Sequence, residues 1–143
     1  MRAVSFTSGK GGAGKTTLLA NIAVRLAQMD RKVLILDGDL GLANVDIMFG
    51  VKPHGRLQDV LDGRCDFESI LVEAAKNITL IPGGSGVTEL VNLNAFQRRA
   101  LVDATKDLQY RYDYLFIDTP TGIGETMLYL NSCADEVMVI VTP

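Results

Sequence analysis

A glycine-rich stretch near the amino terminus, SGKGGAGKTT at 8–17, constrains this chain more than any other feature. It follows an apolar run at 3–7 that predicts a buried strand, and it precedes apolar residues at helical spacing over 16–29. Glycines between a strand and a helix allow the backbone to wrap closely around phosphate groups, and the helix N-terminus adds a partial positive charge. The stretch therefore predicts a phosphate-binding loop within an α/β fold.

Two loop patterns fit this stretch. The dinucleotide-binding pattern G-x-G-x-x-G covers 9–14, and an acidic residue, Asp37, follows about 20 residues later, as that pattern requires. The P-loop pattern G-x-x-x-x-G-K-[ST] covers 9–16 and also uses two side chains, Lys15 to neutralise phosphate charge and Thr16 to bind Mg²⁺. Because the dinucleotide pattern leaves both side chains unused, we favour the P-loop over a dinucleotide turn or a glycine turn with an incidental lysine.

Predicted strands and helices alternate along the whole chain. The strands are predicted at 3–7, 32–36, 77–81, 114–117 and 136–141, and the helices at 16–29, 57–61, 67–75, 94–110 and 124–133. Such alternation is typical of a parallel sheet with helices on both faces. Because the chain ends directly after its last predicted strand, we expect residues 1–143 to be a single P-loop ATPase domain that lacks its C-terminal part.

Acidic residues follow two of the predicted strands. Asp37 and Asp39 end the second strand, and Asp118 ends the strand at 114–117. Ligands of such sheets bind beyond the carboxyl ends of the strands, so we expect these carboxylates to meet the glycine loop at one rim. Asp118 would orient the shell of a bound metal ion, whereas turn formation or helix capping is the alternative role for Asp37 and Asp39.

The segment at 94–110 predicts an amphipathic helix. Its apolar stripe, from Phe96 to Leu108, is expected to face the core, and its charged residues are expected to face solvent. Arg98, Arg99 and Arg111 form the local concentration of basic residues in the chain. That concentration is a weak basis for binding nucleic acid, because such binding depends on many contacts to phosphates.

Bulk properties exclude several classes of protein. The net charge is −3, so we expect no specific nucleic-acid partner. No apolar run approaches the ~18 residues of a membrane span, so this segment is not expected to enter a membrane. Cys65 and Cys133 are isolated, a pattern that predicts no metal or iron–sulfur site built on cysteines and suits a reducing cytoplasm. We therefore expect a cytoplasmic protein.

The loop contains a second lysine, Lys10, which an ordinary P-loop does not require. The sequence K-G-G-x-G-K-T at 10–16 resembles the deviant Walker A motif of the MinD/ParA ATPases, which are SIMIBI-type P-loop NTPases. The resemblance implies that the protein binds ATP and Mg²⁺, hydrolyses ATP to ADP and phosphate, and forms a homodimer with ATP. It also implies that Lys10 reaches across that dimer to the partner's phosphates, as an arginine finger does.

The resemblance extends beyond the loop. VLILDGDLGLANVD at 33–46 resembles the second strand and first switch, in which Asp39 positions the attacking water and Asp37 lies in the outer shell of the metal. DTPTG at 118–122 resembles the second switch, although Thr121 stands where family members often carry a small apolar residue. The resemblance implies a set of phosphate-binding residues: Gly9, Lys10, Gly11, Gly12, Ala13, Gly14, Lys15, Thr16, Thr17 and Gly122. The implied metal-binding residues are Thr16, Asp37, Asp39 and Asp118. The implied catalytic residues are Lys10, Lys15 and Asp39.

Three longer phrases resemble one branch of this family, the flagellar-number regulators of the FlhG/FleN type. They are DGDLGLANVDIMFGVKP at 37–53, LQDVLDG at 57–63 and ITLIPGGSG at 78–86. The resemblance implies a switch that regulates flagellar number or placement, or the position of a cell pole or division site. The implied partners are a signal-recognition-type GTPase or flagellar switch proteins, and the inner face of the cell membrane through a C-terminal helix expected beyond this chain.

Other functions compete with this interpretation. A DNA-segregation ATPase of the ParA type would need a basic surface, and a nucleotide-bound scaffold would bind ATP without hydrolysing it. A metal- or cluster-carrying ATPase would need paired cysteines at a dimer interface, which the isolated Cys65 and Cys133 do not predict.

Overall fold

The computed structural model describes residues 1–39, 45–122 and 124–143, and in these ranges the chain forms a six-stranded sheet. The strands are β1 (Arg2–Thr7), β2 (Val33–Asp37), β3 (Val72–Ala75), β4 (Ile78–Pro82), β5 (Tyr114–Asp118) and β6 (Glu136–Val139). They lie in the order β3-β4-β2-β5-β1-β6. Every neighbouring pair is parallel except β3 and β4, which are antiparallel. The predicted parallel α/β sheet is confirmed, with one antiparallel strand at its edge.

Helices connect the strands and cover both faces of the sheet. They are α1 (Lys15–Gln28), α2 (Val45–Phe49), α3 (Leu57–Leu61), α4 (Phe67–Ile70), α5 (Gly86–Glu89), α6 (Ala95–Thr105), α7 (Leu108–Arg111) and α8 (Glu125–Ser132), with a 3₁₀ turn at Leu90–Asn92. No helix in the described part of the chain is both long enough and apolar enough to cross a membrane.

The predicted helix at 67–75 is wrong in its second half. The helix α4 ends at Ile70, and the next residues form β3, which pairs with β4 through a tight turn. Asn77 adopts a left-handed conformation in that turn, with φ of 66°. Alternate residues of β3 are exposed, as the strand period of two requires. Pairing with β4 decides the conformation of this segment, because four residues are too few for an apolar pattern to distinguish a helix from a strand.

Two apolar clusters cover opposite faces of the sheet, and β2 contributes to both. Val33 and Ile35 pack in the cluster that contains the buried side chains of α1, whereas Leu34 packs in the other cluster. This division follows from the strand period of two. In the first cluster the rings of Phe6 and Phe116 meet edge to face, with their centroids 5.0 Å apart. Burial on both faces explains why β2 is a continuous apolar run.

The apolar stripe predicted for 94–110 does not face the core along its whole length. The helix α6 has no buried residue, and Phe96 is 83% exposed. Leu108 is 3% exposed, but it belongs to α7, because the helix is interrupted near Lys106 and Asp107. The prediction is therefore wrong for Phe96 and confirmed for Leu108.

The register of the sheet brings the predicted site together. The strands β2 and β5 pair so that Asp37 lies beside Asp118, and β1 and β5 pair so that Phe6 lies beside Asp118. The glycine loop begins immediately after β1. The strand ends and the loop therefore meet at one rim of the sheet, as the sequence predicts.

Candidate functional site

The glycine loop joins β1 to α1 and borders an open cavity of about 540 Å³. Gly12 and Gly14 adopt left-handed conformations, with φ of 77° and 82°, which glycine tolerates without strain. Gly14 is the N-cap of α1, and its carbonyl oxygen accepts the N–H of Leu18 at 2.9 Å. The cavity is lined by Ser8, Lys10, Gly11, Gly12, Ala13, Gly14, Lys15, Thr16, Thr17, Asp39 and Thr121. Loop backbone and a helix N-terminus thus border a space that suits an anion.

Lys15 lies at the centre of a buried polar cluster. Its side chain is 3% exposed, and its Nζ atom lies 2.5 Å from Oδ1 of Asp118. The same atom donates to the carbonyl oxygen of Thr119 at 2.6 Å and to Oδ2 of Asp39 at 3.3 Å. Because charge-assisted hydrogen bonds are strong in buried surroundings, these contacts hold the ammonium group beside the ends of β2 and β5.

Asp118 also binds the hydroxyl group of the loop. Oγ1 of Thr16 donates to Oδ2 of Asp118 at 2.8 Å, and Asp118 is fully buried. Burial raises the pKa of Asp118 above its ordinary value, although Lys15 and Thr16 act in the opposite direction. Asp118, which ends β5, therefore contacts two adjacent residues of the P-loop pattern that lie 103 and 102 positions before it.

Asp37 is a second buried carboxyl group at this rim. It is 2% exposed, and its Oδ1 atom has no hydrogen-bond partner among the residues that the structure describes. Burial, followed by the negative charges of Asp118 and Asp46, raises the pKa of Asp37 to about 7. A cation beside Asp37 would lower this pKa, because it would stabilise the charged form.

These groups suit Mg²⁺ together with a phosphate better than a metal ion alone. Within 1–39, 45–122 and 124–143, no three acidic, histidine or cysteine side chains are placed to hold a metal ion among themselves. Mg²⁺ takes oxygen ligands, keeps several waters, and is commonly completed by phosphates of the substrate. The oxygen atoms of Thr16, Asp118 and the unpaired Oδ1 of Asp37 fit such a hydrated ion.

Some predicted residues lie outside the buried cluster. Lys10 and Thr17 are exposed, and both line the cavity. Gly9 is absent from that lining and borders a smaller cavity near the end of β6. Residues 40–44, which belong to the segment that resembles the first switch, and Ile123, which follows the segment that resembles the second, lie outside the described residues.

Ser8 and Thr119 belong to the site, although the sequence patterns did not single them out. Ser8 is 2% exposed, its Oγ donates to the carbonyl oxygen of Lys10 at 2.5 Å, and its own carbonyl oxygen accepts the N–H of Gly122 at 3.1 Å. Thr119 is fully buried, and its Oγ1 donates to the carbonyl oxygen of Phe6 at 2.8 Å. Both residues directly follow a strand at its carboxyl end, which is the positional signal that identifies them.

Comparisons with known proteins show what this chain is similar to. A family model described as an AAA domain matches residues 1–143. The antiactivator FleN of Pseudomonas aeruginosa is 38% identical over 141 residues, which are 99% of this chain and 50% of FleN. The flagellum site-determining protein YlxH of Helicobacter pylori is 35% identical over 140 residues, which are 98% of this chain and 48% of YlxH.

One of the solved structures similar to this chain is the septum site-determining protein MinD of Pyrococcus horikoshii, complexed with Mg-ADP. It matches with a TM-score of 0.76 and 32% identity, over 99% of this chain and 58% of that protein. The chain spans about half the length of the curated relatives it matches. On its motifs, its fold and these relatives, the chain belongs to the MinD/ParA family of P-loop ATPases.

Proposed function

We propose that residues 1–143 form a single P-loop ATPase domain of an ATP-hydrolysing dimerisation switch. The observation that carries the proposal is the contact of Lys15 and Thr16 with Asp118 beside the glycine-loop cavity. A lysine neutralises phosphate charge, a hydroxyl binds Mg²⁺, and a carboxylate at a strand end orients the metal shell. The Mg-ADP bound to the Pyrococcus horikoshii relative supports the same class of ligand here.

Binding of ATP requires Lys15 to exchange partners. Its ammonium group contacts Asp118, Thr119 and Asp39, and we expect phosphate oxygens to replace part of these contacts. The oxygen of the Thr16 hydroxyl would bind Mg²⁺ through a lone pair while its proton stays donated to Asp118. Asp37, Asp39 and Asp118 would hold the same ion through its water shell. When bound, Mg²⁺ would neutralise charge that develops on the phosphates.

Hydrolysis would break the bond between the γ-phosphorus and the oxygen that bridges to the β-phosphate. Water is the nucleophile, and the products are ADP and phosphate. Asp39 suits the positioning of that water, because its side chain lines the cavity and is 15% exposed. Lys15 would stabilise the developing negative charge from within the chain, and the exposed Lys10 would do so from the partner copy of a dimer.

The names of two relatives support a proposal for the cellular role. FleN is named as an antiactivator and YlxH as a flagellum site-determining protein. We infer that this chain regulates flagellar number or placement, or the position of a pole or division site. Its partners would be a signal-recognition-type GTPase or flagellar switch proteins, and its membrane contact would come from a C-terminal helix outside this chain.

A DNA-segregating ATPase has less support. Arg99, in α6, and Lys106, directly after its end, both form ion pairs with Asp103, so these basic residues are partly neutralised. Binding of DNA depends on cations that are free to contact phosphates.

The test is light scattering on the full-length protein with ATP, with ADP and without nucleotide, combined with phosphate release from the same samples. Of the three samples, we expect a dimer only in the one with ATP. We also expect Lys10→Ala to abolish hydrolysis. Lys52→Ala is the matched control, because Lys52 is an exposed lysine outside the loop. A protein that stays monomeric with every nucleotide would contradict the proposed ATP-dependent dimer. Unchanged hydrolysis in Asp39→Ala would contradict the catalytic role proposed for Asp39.

A further inference from the structure

The two lysines of the glycine loop are held in different ways. The ammonium group of Lys15 is buried and has three partners within the chain. Lys10 is exposed, and its ammonium group forms no ion pair with any residue that the structure describes. An ammonium group placed in this way is available to a group outside its own chain.

The backbone of Lys10, in contrast, is held by Ser8. Oγ of Ser8 donates to the carbonyl oxygen of Lys10 at 2.5 Å and accepts the N–H of Lys10 at 3.3 Å. One hydroxyl group can do both, since it carries one donor hydrogen and two acceptor lone pairs. Serine side chains that bond the backbone two residues further on stabilise local turns. The Ser8 hydroxyl thus restrains the point from which the Lys10 side chain begins.

Ser8 is itself tied to the sheet on two sides. It is 2% exposed and follows β1 directly. Its carbonyl oxygen accepts the N–H of Gly122 at 3.1 Å, and the carbonyl oxygen of Thr7 accepts the N–H of Ile140 at 2.8 Å. These bonds join the chain to the segments that follow β5 and β6. Ser8 is therefore a fixed point at which the glycine loop begins.

The neighbours of Lys10 are glycines that packing does not restrain. A Cβ atom placed on Gly9, Gly11 or Gly12 would meet nothing within 4 Å, so each of them borders open space. Glycine also has more conformational freedom to lose on ordering than any other residue. The bonds from Ser8 therefore supply a restraint on Lys10 that its neighbours do not.

We propose that Ser8 is a positioning residue for Lys10, because its buried hydroxyl group holds the Lys10 backbone where the ammonium group can meet the partner's phosphates. The inference rests on the function proposed above, in which Lys10 acts across an ATP-dependent dimer. Ordering a loop costs conformational entropy, and a loop that is ordered beforehand avoids that cost on association. Because Lys10 serves the partner's phosphates, loss of the Ser8 hydroxyl should impair the site of the partner copy.

The first experiment compares Ser8→Ala with Ser69→Ala in the full-length protein. Ser69 is a matched control, because its Oγ also donates to a nearby backbone carbonyl, that of Asp66 at 2.6 Å, but outside the loop. Phosphate release measures hydrolysis, and a fluorescent ADP analogue measures the nucleotide affinity of a single protomer. We expect Ser8→Ala to lower hydrolysis about 10-fold and to change ADP affinity less than about 3-fold. Ser69→Ala should change neither.

A mixture of two variants shows which protomer Ser8 serves. In a mixed dimer, Asp39→Ala supplies an intact Ser8 and Lys10 to the site of the Ser8→Ala protomer. At constant total protein concentration, an equal mixture should therefore release more phosphate than Ser8→Ala alone. If Ser8 served the site of its own chain, the mixture would release less, because half of its sites carry Asp39→Ala. An equal mixture of Lys10→Ala with Asp39→Ala is the positive control for action across the dimer.

Hydrogen exchange without nucleotide gives a readout that does not involve hydrolysis. The amide of Lys10 should exchange faster in Ser8→Ala, because it loses its acceptor, and the amides of α1 should not. Ser8→Thr keeps the hydroxyl group and should slow exchange at Lys10 relative to Ser8→Ala. Faster exchange throughout α1 in Ser8→Ala would show that Ser8 supports the fold as a whole, and the positioning role would be wrong.

The outcomes separate this inference from the proposed function. If the unmodified protein releases no phosphate, or if the positive-control mixture shows no gain over Lys10→Ala alone, the proposed role of Lys10 is wrong and this inference is lost with it. If the positive control shows the gain, three results would overturn the inference alone. They are unchanged hydrolysis in Ser8→Ala, a mixture that releases less phosphate than Ser8→Ala alone, and unchanged exchange at Lys10.

Discussion

The ammonium group of Lys15 lies 2.5 Å from Oδ1 of Asp118, and the two side chains are 3% and 0% exposed. This pair is one of the contacts that link the glycine loop to the carboxylates at the strand ends. Removal of one partner from a buried ion pair leaves the other charge uncompensated. The pair therefore contributes to the stability of the fold as well as to the candidate site.

Lys15→Ala should destabilise the protein when no nucleotide is present. The variant leaves the buried carboxylate of Asp118 without its cation, which costs about 3–5 kcal/mol in the free energy of unfolding. Urea denaturation measures this loss. Arg99→Ala is the control, since its ion pair with Asp103 is exposed and such pairs contribute about 0–1 kcal/mol. Equal losses in the two variants would contradict a stabilising role for the buried pair.

Asp37 should make stability depend on pH. Its folded-state pKa of about 7 lies above the ordinary value of 3.8, so the folded protein binds this proton more tightly than the unfolded chain does. The resulting stabilisation is complete below the ordinary pKa and is lost as the pH rises to about 7. Asn cannot ionise, so the stability of Asp37→Asn relative to the unmodified protein should rise between about pH 4 and about pH 7 and change little above that.

Denaturation at a series of pH values without Mg²⁺ measures this difference. Asp103→Asn is the contrasting variant, because Lys106 holds the pKa of the exposed Asp103 below its ordinary value, and the contribution of Asp103 is therefore lost as the pH falls. A stability difference for Asp37→Asn that stays constant over the pH series would show that Asp37 is not protonated in the folded protein near neutral pH.

Gly83→Ala should disturb the end of β2. The added Cβ atom would lie 2.0 Å from the carbonyl oxygen of Asp37, so backbone must move. Overpacking of this kind costs about 1–3 kcal/mol. Gly124→Ala is the control, because its Cβ atom would meet nothing within 4 Å. Thermal or urea unfolding compares the stability of Gly83→Ala with that of Gly124→Ala. Similar small losses of stability in both variants would mean that the turn at Gly83 adapts without strain.

Phe96→Ser should change stability little, in spite of the size of the side chain removed. Phe96 is 83% exposed, and surface substitutions usually stay within about 0.5 kcal/mol. Leu108→Ala should cost about 2–5 kcal/mol, since Leu108 is 3% exposed. A large loss in Phe96→Ser would contradict the exposed position of this ring.

Predictions from local sequence succeeded where a few neighbouring residues set the conformation. The left-handed residues of the loop are glycines. The acidic residues that end β2 and β5, Asp37 and Asp118, lie beside each other in the sheet. The alternation of apolar runs was enough to predict a largely parallel sheet. It did not predict β3, because the pairing of β3 with β4 decides that segment.

From the sequence one can predict the glycine loop, the alternation of strands and helices, and the carboxylates that end β2 and β5. These depend on backbone preferences and on side-chain spacing within single segments. The sequence does not predict the exposure of Phe96, the raised pKa of Asp37 or the contact between Arg56 and Asp46. Each of these depends on which distant segments pack together, because burial and the distance between charges are properties of the assembled fold.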